Sequence, residues 1–243
     1  MDNVVIVPMR SGSKGLKDKN IKDFSGLPLY FWTIKKLYHL YKQEIITRVI
    51  ISSDSDWYLD LVRLSFNSLF NIGDFILSKR PEELATDDTS TEDVCLYILY
   101  KYDIVDGNLG IIEVTSPLIP IDSLGLMLSS VNDNIYSSFL VCADISQYWK
   151  CNKDNNYRWE KLYTDRKMRQ EETEILYKEI GAWSIKVDKF LQYKNRIIEN
   201  SCIPIIIDKK YGLSINDLQD FYYAEILMKE NSAQIYKNCG LYK

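Results

Sequence analysis

Val4-Val-Ile-Val-Pro-Met-Arg-Ser-Gly-Ser-Lys-Gly-Leu-Lys-Asp-Lys-Asn20 joins a short β-branched apolar run to a loop with two glycines, two serines and four cations. The run reads as an N-terminal buried strand. The loop has the chemistry of a phosphate cradle. Glycine lets backbone amides come close to an anion, Ser11 and Ser13 add hydroxyl donors, and Arg10, Lys14, Lys17 and Lys19 offset polyphosphate charge. Gly12 and Gly15 fit neither G-x-x-x-x-G-K-[ST] nor G-x-G-x-x-G. By itself the segment is therefore either a phosphate loop of another kind or an ordinary solvated turn.

The 243 residues are 46% hydrophobic and 26% charged, with a formal net charge of −4. Such a chain is long enough for a full core, and it reads as one domain with an appendage. Its charge gives no global attraction to nucleic acid, so the cations that matter must act locally. No apolar run approaches the roughly 18 residues of a membrane span, and no basic-then-apolar leader precedes Val4, so a cytoplasmic protein without a membrane partner is expected. Five cysteines without a C-x-x-C pair argue against a disulfide framework or a thiolate zinc site. The single histidine, His39, falls at the end of an amphipathic helical stretch. That place argues against a histidine-based hydrolytic triad, leaving carboxylates, lysines, arginines or a metal to carry any chemistry.

Along the chain, helical spacing at Leu29, Trp32, Ile34, Leu37 and Leu40 predicts a helix over 27–41. Strands are expected at 48–52, 75–78, 109–114, 138–143, 181–186 and 202–207. Helices are expected at 57–66, 94–102, 123–131 and 217–231, the third of the chain opened by the hydroxyl-then-acid pattern Thr89-Ser90-Thr91-Glu92-Asp93. This alternation predicts an α/β fold, a Rossmann-like mainly parallel sheet with helices on both faces. Ligands in such sheets lie beyond the carboxyl ends of the strands. The loops after Val7, Ser52, Ser78 and Val114 should then share one edge, bringing Arg10, Lys14, Lys19, Asn20, Asp54, Arg80 and Thr115 together. Residues 144–180, aromatic and charged without clear period, read as an excursion from the sheet and a candidate homodimer contact.

The motifs resemble those of the nonulosonate cytidylyltransferases, the family of CMP-N-acetylneuraminate synthetase and its pseudaminic and legionaminic acid counterparts. Met9 to Asn20 matches A-R-x-x-S-K-G-[LI]-x-x-K-N, Ser52-Ser53-Asp54-Ser55 matches S-T-D-x, and Arg80 to Asp87 matches R-P-x-E-L-A-x-D. Thr115-Ser116-Pro117-Leu118 matches T-S-P-L, Arg169-Gln170 matches R-Q, Gly181-Ala182-Trp183 is similar to G-A-[IV]-Y, and Ala224-Glu225 matches a closing A-E. The resemblance implies attack of the anomeric hydroxyl of an acidic nine-carbon keto sugar on the α-phosphate of CTP, with magnesium as cofactor and a homodimer as the working unit. It implies that Arg10, Lys14 and Lys19 hold the triphosphate and leaving pyrophosphate, that Ser13 and Asn20 help fix the nucleotide, and that Arg80, with Asp54, lines the nucleotide pocket. On the acceptor side it implies Thr115, Lys150, Arg169 and Gln170, with Lys178 reaching toward a neighbouring subunit.

Two departures stand out. The family's D-I-D-x-x-x-D, whose first two aspartates bind magnesium, is here Ser214-Ile215-Asn216-Asp217-Leu218-Gln219-Asp220. The candidate metal contacts are then Asn216, through its amide oxygen, and the adjacent Asp217, with phosphates and waters supplying the rest. Glu113 stands where the family has glutamine, and Ile119 where an arginine commonly follows T-S-P-L. An acid at 113 repels an acidic sugar, which suggests a less anionic or differently shaped acceptor. A nucleotidyltransferase of other specificity, or a catalytically silent nucleotide-binding homologue, are the rival readings.

Overall fold

The computed structural model describes residues 2–13, 15–66, 68–144, 149–152, 158–161 and 176–230. Its elements in chain order are β1 (Asn3–Pro8), β2 (Asp23–Phe24), β3 (Leu27–Pro28), α1 (Leu29–Lys42), β4 (Arg48–Ser53), α2 (Asp56–Phe66), β5 (Phe75–Lys79), α3 (Thr91–Lys101) and β6 (Asn108–Ile112). There follow α4 (Ile121–Ser129), β7 (Ser137–Asp144), β8 (Trp149–Asn152), β9 (Arg158–Lys161), β10 (Leu176–Lys186), α5 (Val187–Tyr193), β11 (Cys202–Ile207) and α6 (Leu218–Glu230).

The main sheet has seven strands in the order β11-β7-β10-β6-β1-β4-β5. Strand β1 pairs in parallel with β4 on one side and β6 on the other, and β4 pairs in parallel with β5. The order therefore reverses at β1, and the crevice beyond its carboxyl end is the topological switch point where ligands bind in open α/β sheets. Both faces of β1 are buried, which is why its sequence is a continuous apolar run rather than an alternation. Val5 and Val7 pack into a core shared with α1, α2, α4 and α6, whereas Val4 and Ile6 face a second core with α3 and α5.

The expected alternation and mainly parallel sheet are thus present. One strand departs from it: β10 is antiparallel to both β6 and β7. It is also longer than the expected 181–186, because it already joins the sheet at Leu176. Residues 176–180 therefore belong to the main sheet rather than to the excursion, within which β8 and β9 form a separate antiparallel pair. Side-chain period alone did not reveal this, because Leu176 to Glu179 are exposed. The register of β10 against β7 shifts between Ile180 and Trp183, and across this irregularity the Gly181 carbonyl accepts the Glu113 amide at 2.8 Å.

Helix α1 carries a charged residue into the core. Lys36 is 2% exposed, and its ammonium donates to the carbonyls of Pro117 (2.5 Å) and Ile119 (2.7 Å). The loop leading from β6 to α4 is thereby tied to a helix on the sheet face. Helix α3 opens with the expected capping box, Ser90 and Asp93 exchanging side-chain and backbone bonds. Cys95 and Cys142 are buried and Cys202 is half-buried, where a cysteine packs as a small hydrophobe. His39 lies half-buried in the last turn of α1. Among the described residues, no helix is long and apolar enough to cross a membrane.

Candidate active site

The carboxyl ends of β1, β4, β5 and β6 bring their loops to one edge, as their parallel pairing requires. A cleft of about 310 Å³ opens there, lined by Arg10, Ser13, Lys19, Asn20, Arg80 and Thr115 among others. The loop after β1 is fastened from behind. The Ser11 amide and hydroxyl both donate to the Asp54 carboxylate, at 2.9 and 2.5 Å, and the Asn20 amide nitrogen donates to the Arg10 carbonyl at 2.9 Å. Asp54 does not line the cleft in this arrangement. It supports the loop on one side and faces the Arg80 guanidinium, 3.8 Å away, on the other.

Arg80 is 4% exposed, and burial lowers its pKa, an effect opposed by Asp54 and reinforced by Arg10. Its Nε is buried and has no hydrogen-bond partner among the described residues. For Asp54, burial works to raise the pKa, but the bonds from Ser11, from its own amide and the charge of Arg80 together leave it below the ordinary value. A carboxyl held lower in the fold than in the unfolded chain stabilises above the unfolded pKa of about 3.9. That stabilisation is lost as pH falls through the lower folded value. Asp54→Asn is accordingly expected to cost about 2–4 kcal/mol at neutral pH, since it leaves Arg80 a buried, unpaired charge. The deficit should shrink as pH falls through the lowered folded value, where the natural carboxyl itself becomes protonated, and urea unfolding across pH would measure it.

Arg10 is engaged on the far wall, bonding the Thr86 carbonyl at 3.0 Å and pairing with Asp87 at 2.9 Å. Lys19, 8% exposed, donates to the Ile215 carbonyl at 2.7 Å, joining the basic loop to the segment before α6. Gly15 makes the same junction at backbone level, for a methyl group there would overlap the Asn216 carbonyl oxygen. Gly15→Ala is therefore expected to raise KM for nucleotide about tenfold or more and to cost about 1–3 kcal/mol of stability. Steady-state kinetics and thermal melts read the two effects separately.

A further wall of the cleft is made by Glu113, Thr115, Ser214 and Asn216. The Ser214 hydroxyl donates to Thr115 Oγ1 (3.4 Å), which donates to Glu113 Oε2 (3.2 Å), and the Ile215 amide donates to the Thr115 carbonyl (2.8 Å). Asn216 bonds the Ser214 carbonyl through its amide nitrogen at 3.2 Å. Asp217 is not among the lining residues; its Oδ1 caps α6 by accepting from the Gln219 and Asp220 amides at 2.8 and 2.9 Å. Among the described residues no three His, Cys, Asp or Glu side chains cluster as a preformed metal cage. The wall nonetheless presents hard oxygens, and magnesium is commonly held by one or two carboxylates with substrate phosphates and water, so the donor set fits such an ion.

Lys14, Arg169 and Gln170 lie outside the described residues, and Lys150 is placed only as a backbone position in β8. Lys178 is an exposed residue of β10, opposite Cys142 and away from the cleft lining. Sequence reasoning gave no site role to Asp87, Ser90, Thr91 or Val94, which line the cleft from the loop before α3 and from its first turn. The signal was available: a helix N-terminus recognised by its capping box, one loop beyond Arg80, is a ready site for a polar or anionic group.

The sequence profile of the family described as cytidylyltransferase matches residues 4–179. The chain belongs to that family. A relative of this cytidylyltransferase, a pseudaminic acid cytidylyltransferase of Campylobacter jejuni subsp. jejuni serotype O:2, is 24% identical over 237 residues, covering 95% of this chain and 98% of that protein. An N-acylneuraminate cytidylyltransferase of Streptococcus agalactiae serotype V is 25% identical over 230 residues, which are 92% of this chain but 52% of that protein. One from Escherichia coli O18:K1:H7 is 34% identical over 114 residues, 47% of this chain and 24% of that protein. Among solved structures, CMP:2-keto-3-deoxy-manno-octonic acid synthetase complexed with CTP has a TM-score of 0.65 at 16% identity, covering 95% of this chain and 100% of the other. At that identity the likeness speaks for the fold alone. Membership nevertheless makes this an enzyme of the CTP-using nucleotidyltransferase type.

Proposed function

We propose that this cytidylyltransferase moves CMP from CTP to the anomeric hydroxyl of an acidic nine-carbon keto sugar or a close analogue. The acceptor oxygen bonds to the α-phosphorus, the bond to the bridging oxygen breaks, pyrophosphate leaves, and the hydroxyl proton is released. The observation that carries this reading is the convergence of Arg10, Lys19 and Arg80 on one cleft at the switch point of the sheet. Phosphoryl transfer of this kind depends on positioning and on charge stabilisation, and these cations supply both.

Arg10 and Lys19, with Lys14 by its place in the motif, hold the triphosphate. Binding requires Arg10 to exchange Asp87 for phosphate oxygens. Arg80, kept in place by Asp54, serves the nucleoside side, with Ser13 and Asn20 completing the loop. Thr115 faces the acceptor, Lys150, Arg169 and Gln170 are assigned to it by resemblance, and Lys178, which lies away from this cleft, is assigned by resemblance to the neighbouring subunit's site. Magnesium, when bound, would supply neutralisation of the phosphate oxygens, held by oxygen donors of the Thr115–Asn216 wall. A homodimer working in the cytoplasm completes the proposal, with sedimentation at twice the monomer mass as its check.

The acceptor class rests on the likeness to these relatives, above all the pseudaminic acid cytidylyltransferase matched over 98% of its length. The test is pyrophosphate release from CTP and magnesium with a panel of nonulosonic acids. Release is expected with at least one of them and with CTP in preference to UTP, GTP and ATP. A folded protein that releases none with any acceptor overturns the reading.

A further inference from the structure

Among the described residues two carboxylates line the cleft, and their situations differ. Asp87 is paired with Arg10 at 2.9 Å. Glu113 has no ion-pair partner among the described residues, and its one side-chain bond is the hydroxyl of Thr115 at 3.2 Å.

That carboxylate is nevertheless built in. Its backbone amide is fixed on the Gly181 carbonyl at 2.8 Å, just past the last residue of β6. Gly181 packs against the side chain so closely that a methyl there would stand 2.8 Å from Oε2 and 3.0 Å from the Glu113 Cβ. The rotamer is thus walled on one side and bonded on the other. Thr115 Oγ1, which holds Oε2, also accepts from Ser214 Oγ at 3.4 Å, so a carboxylate and two hydroxyls from distant segments meet in one corner. The same corner holds Lys19 through Ile215, whose amide bonds Thr115 and whose carbonyl accepts from the ammonium.

A fixed anion in a cleft that takes a triphosphate repels it unless a cation stands between them. One carboxylate beside neutral oxygens and phosphate is also a normal protein share of a magnesium site, since the ion keeps several waters and prefers hard oxygens. We infer that Glu113 is the protein carboxylate that holds the divalent cation accompanying CTP, with the Thr115 and Ser214 hydroxyls orienting it, rather than a contact to the acceptor sugar. The inference rests on the proposed use of a nucleoside triphosphate in this cleft. It also changes the meaning of the acid at 113, which becomes a source of metal affinity and not a sign of a less anionic acceptor.

The experiment uses the full chain with Mn2+ as the probe, followed by electron paramagnetic resonance of the free ion. It reads Mn2+ uptake by the protein–CTP complex beyond that by CTP alone, and calorimetry of CTP binding in EDTA accompanies it. Glu113→Gln is expected to weaken the uptake about tenfold or more, at least as much as the loss of a group supporting a metal ligand, while CTP affinity in EDTA holds or tightens. Ser214→Asp in the Glu113→Gln background is expected to restore part of it, because a carboxylate returns to the same corner. If Glu113→Gln melts early, Glu113→Asp carries the test, its shorter side chain again lowering Mn2+ affinity. Unchanged Mn2+ affinity in the folded variants, with CTP still bound, overturns the assignment of Glu113 alone. A natural chain that takes up no CTP with or without Mn2+ overturns the nucleotide reading and this inference with it.

Discussion

Lys19→Met should reduce turnover about a hundredfold or more, on the scale seen when one preorganised donor to a developing charge is removed. Lys19 lines the cleft, is nearly buried, and is held on the Ile215 carbonyl, so its ammonium needs little reorganisation when phosphate arrives. Its pKa is lowered first by burial and also by Arg10, with Glu113, Asp220 and Asp217 acting in the opposite direction. The free enzyme therefore loses this charge at a lower pH than an ordinary lysine does. CTP affinity should be full below that lowered pKa and fall as pH rises through it. The unfolded chain, with the ordinary value, binds more protons across the same interval, so folding stability gains slightly there as pH rises. Lys19→Arg keeps the charge at every accessible pH and should erase the alkaline fall in affinity while retaining part of the activity. A Lys19→Met enzyme with natural kcat and KM would show that the triphosphate is held elsewhere.

Lys36→Met, like Asp54→Asn, is expected to have a large effect on folding, about 2–4 kcal/mol. Methionine keeps much of the volume, so the loss comes from the Pro117 and Ile119 carbonyls, which lose their ammonium donor inside the protein. Release of the buried charge itself returns part of the deficit. A drop in melting temperature of roughly 10 °C is expected for a chain of this size. Because the same loop carries Thr115, acceptor KM should rise in the variant at temperatures where it remains folded. Urea unfolding and kinetics at low temperature measure these separately, and a melting point equal to that of the natural chain would refute the first.

The parts of the site that were legible in the sequence sit at the carboxyl ends of parallel strands. Arg10 follows β1, Asp54 follows β4, Arg80 follows β5 and Thr115 follows β6, so knowing the alternation was enough to place all four on one edge. Their division of labour was not legible. Asp54 proves to brace Ser11 and Arg80 rather than line the cleft, and Asp87 occupies Arg10 from the opposite wall. These are side-chain choices among partners tens of residues apart, to which local propensity and period are blind. The same applies to Asp217, whose bonds to the first turn of α6 follow from where that helix starts.

What the sequence by itself determined was the local chemistry: an apolar strand opening into a basic glycine loop, strands alternating with helices, and neutral residues at 214 and 216. These follow from composition and short-range spacing, where each residue's own conformational preference suffices. Only the tertiary structure decided that β10 runs antiparallel between β6 and β7, that Gly181 walls in Glu113, and that Ser214 meets that carboxylate across Thr115. Strand direction and register are settled by which long-range pairing buries most and leaves fewest backbone groups unbonded, a property of the whole sheet and of no segment within it.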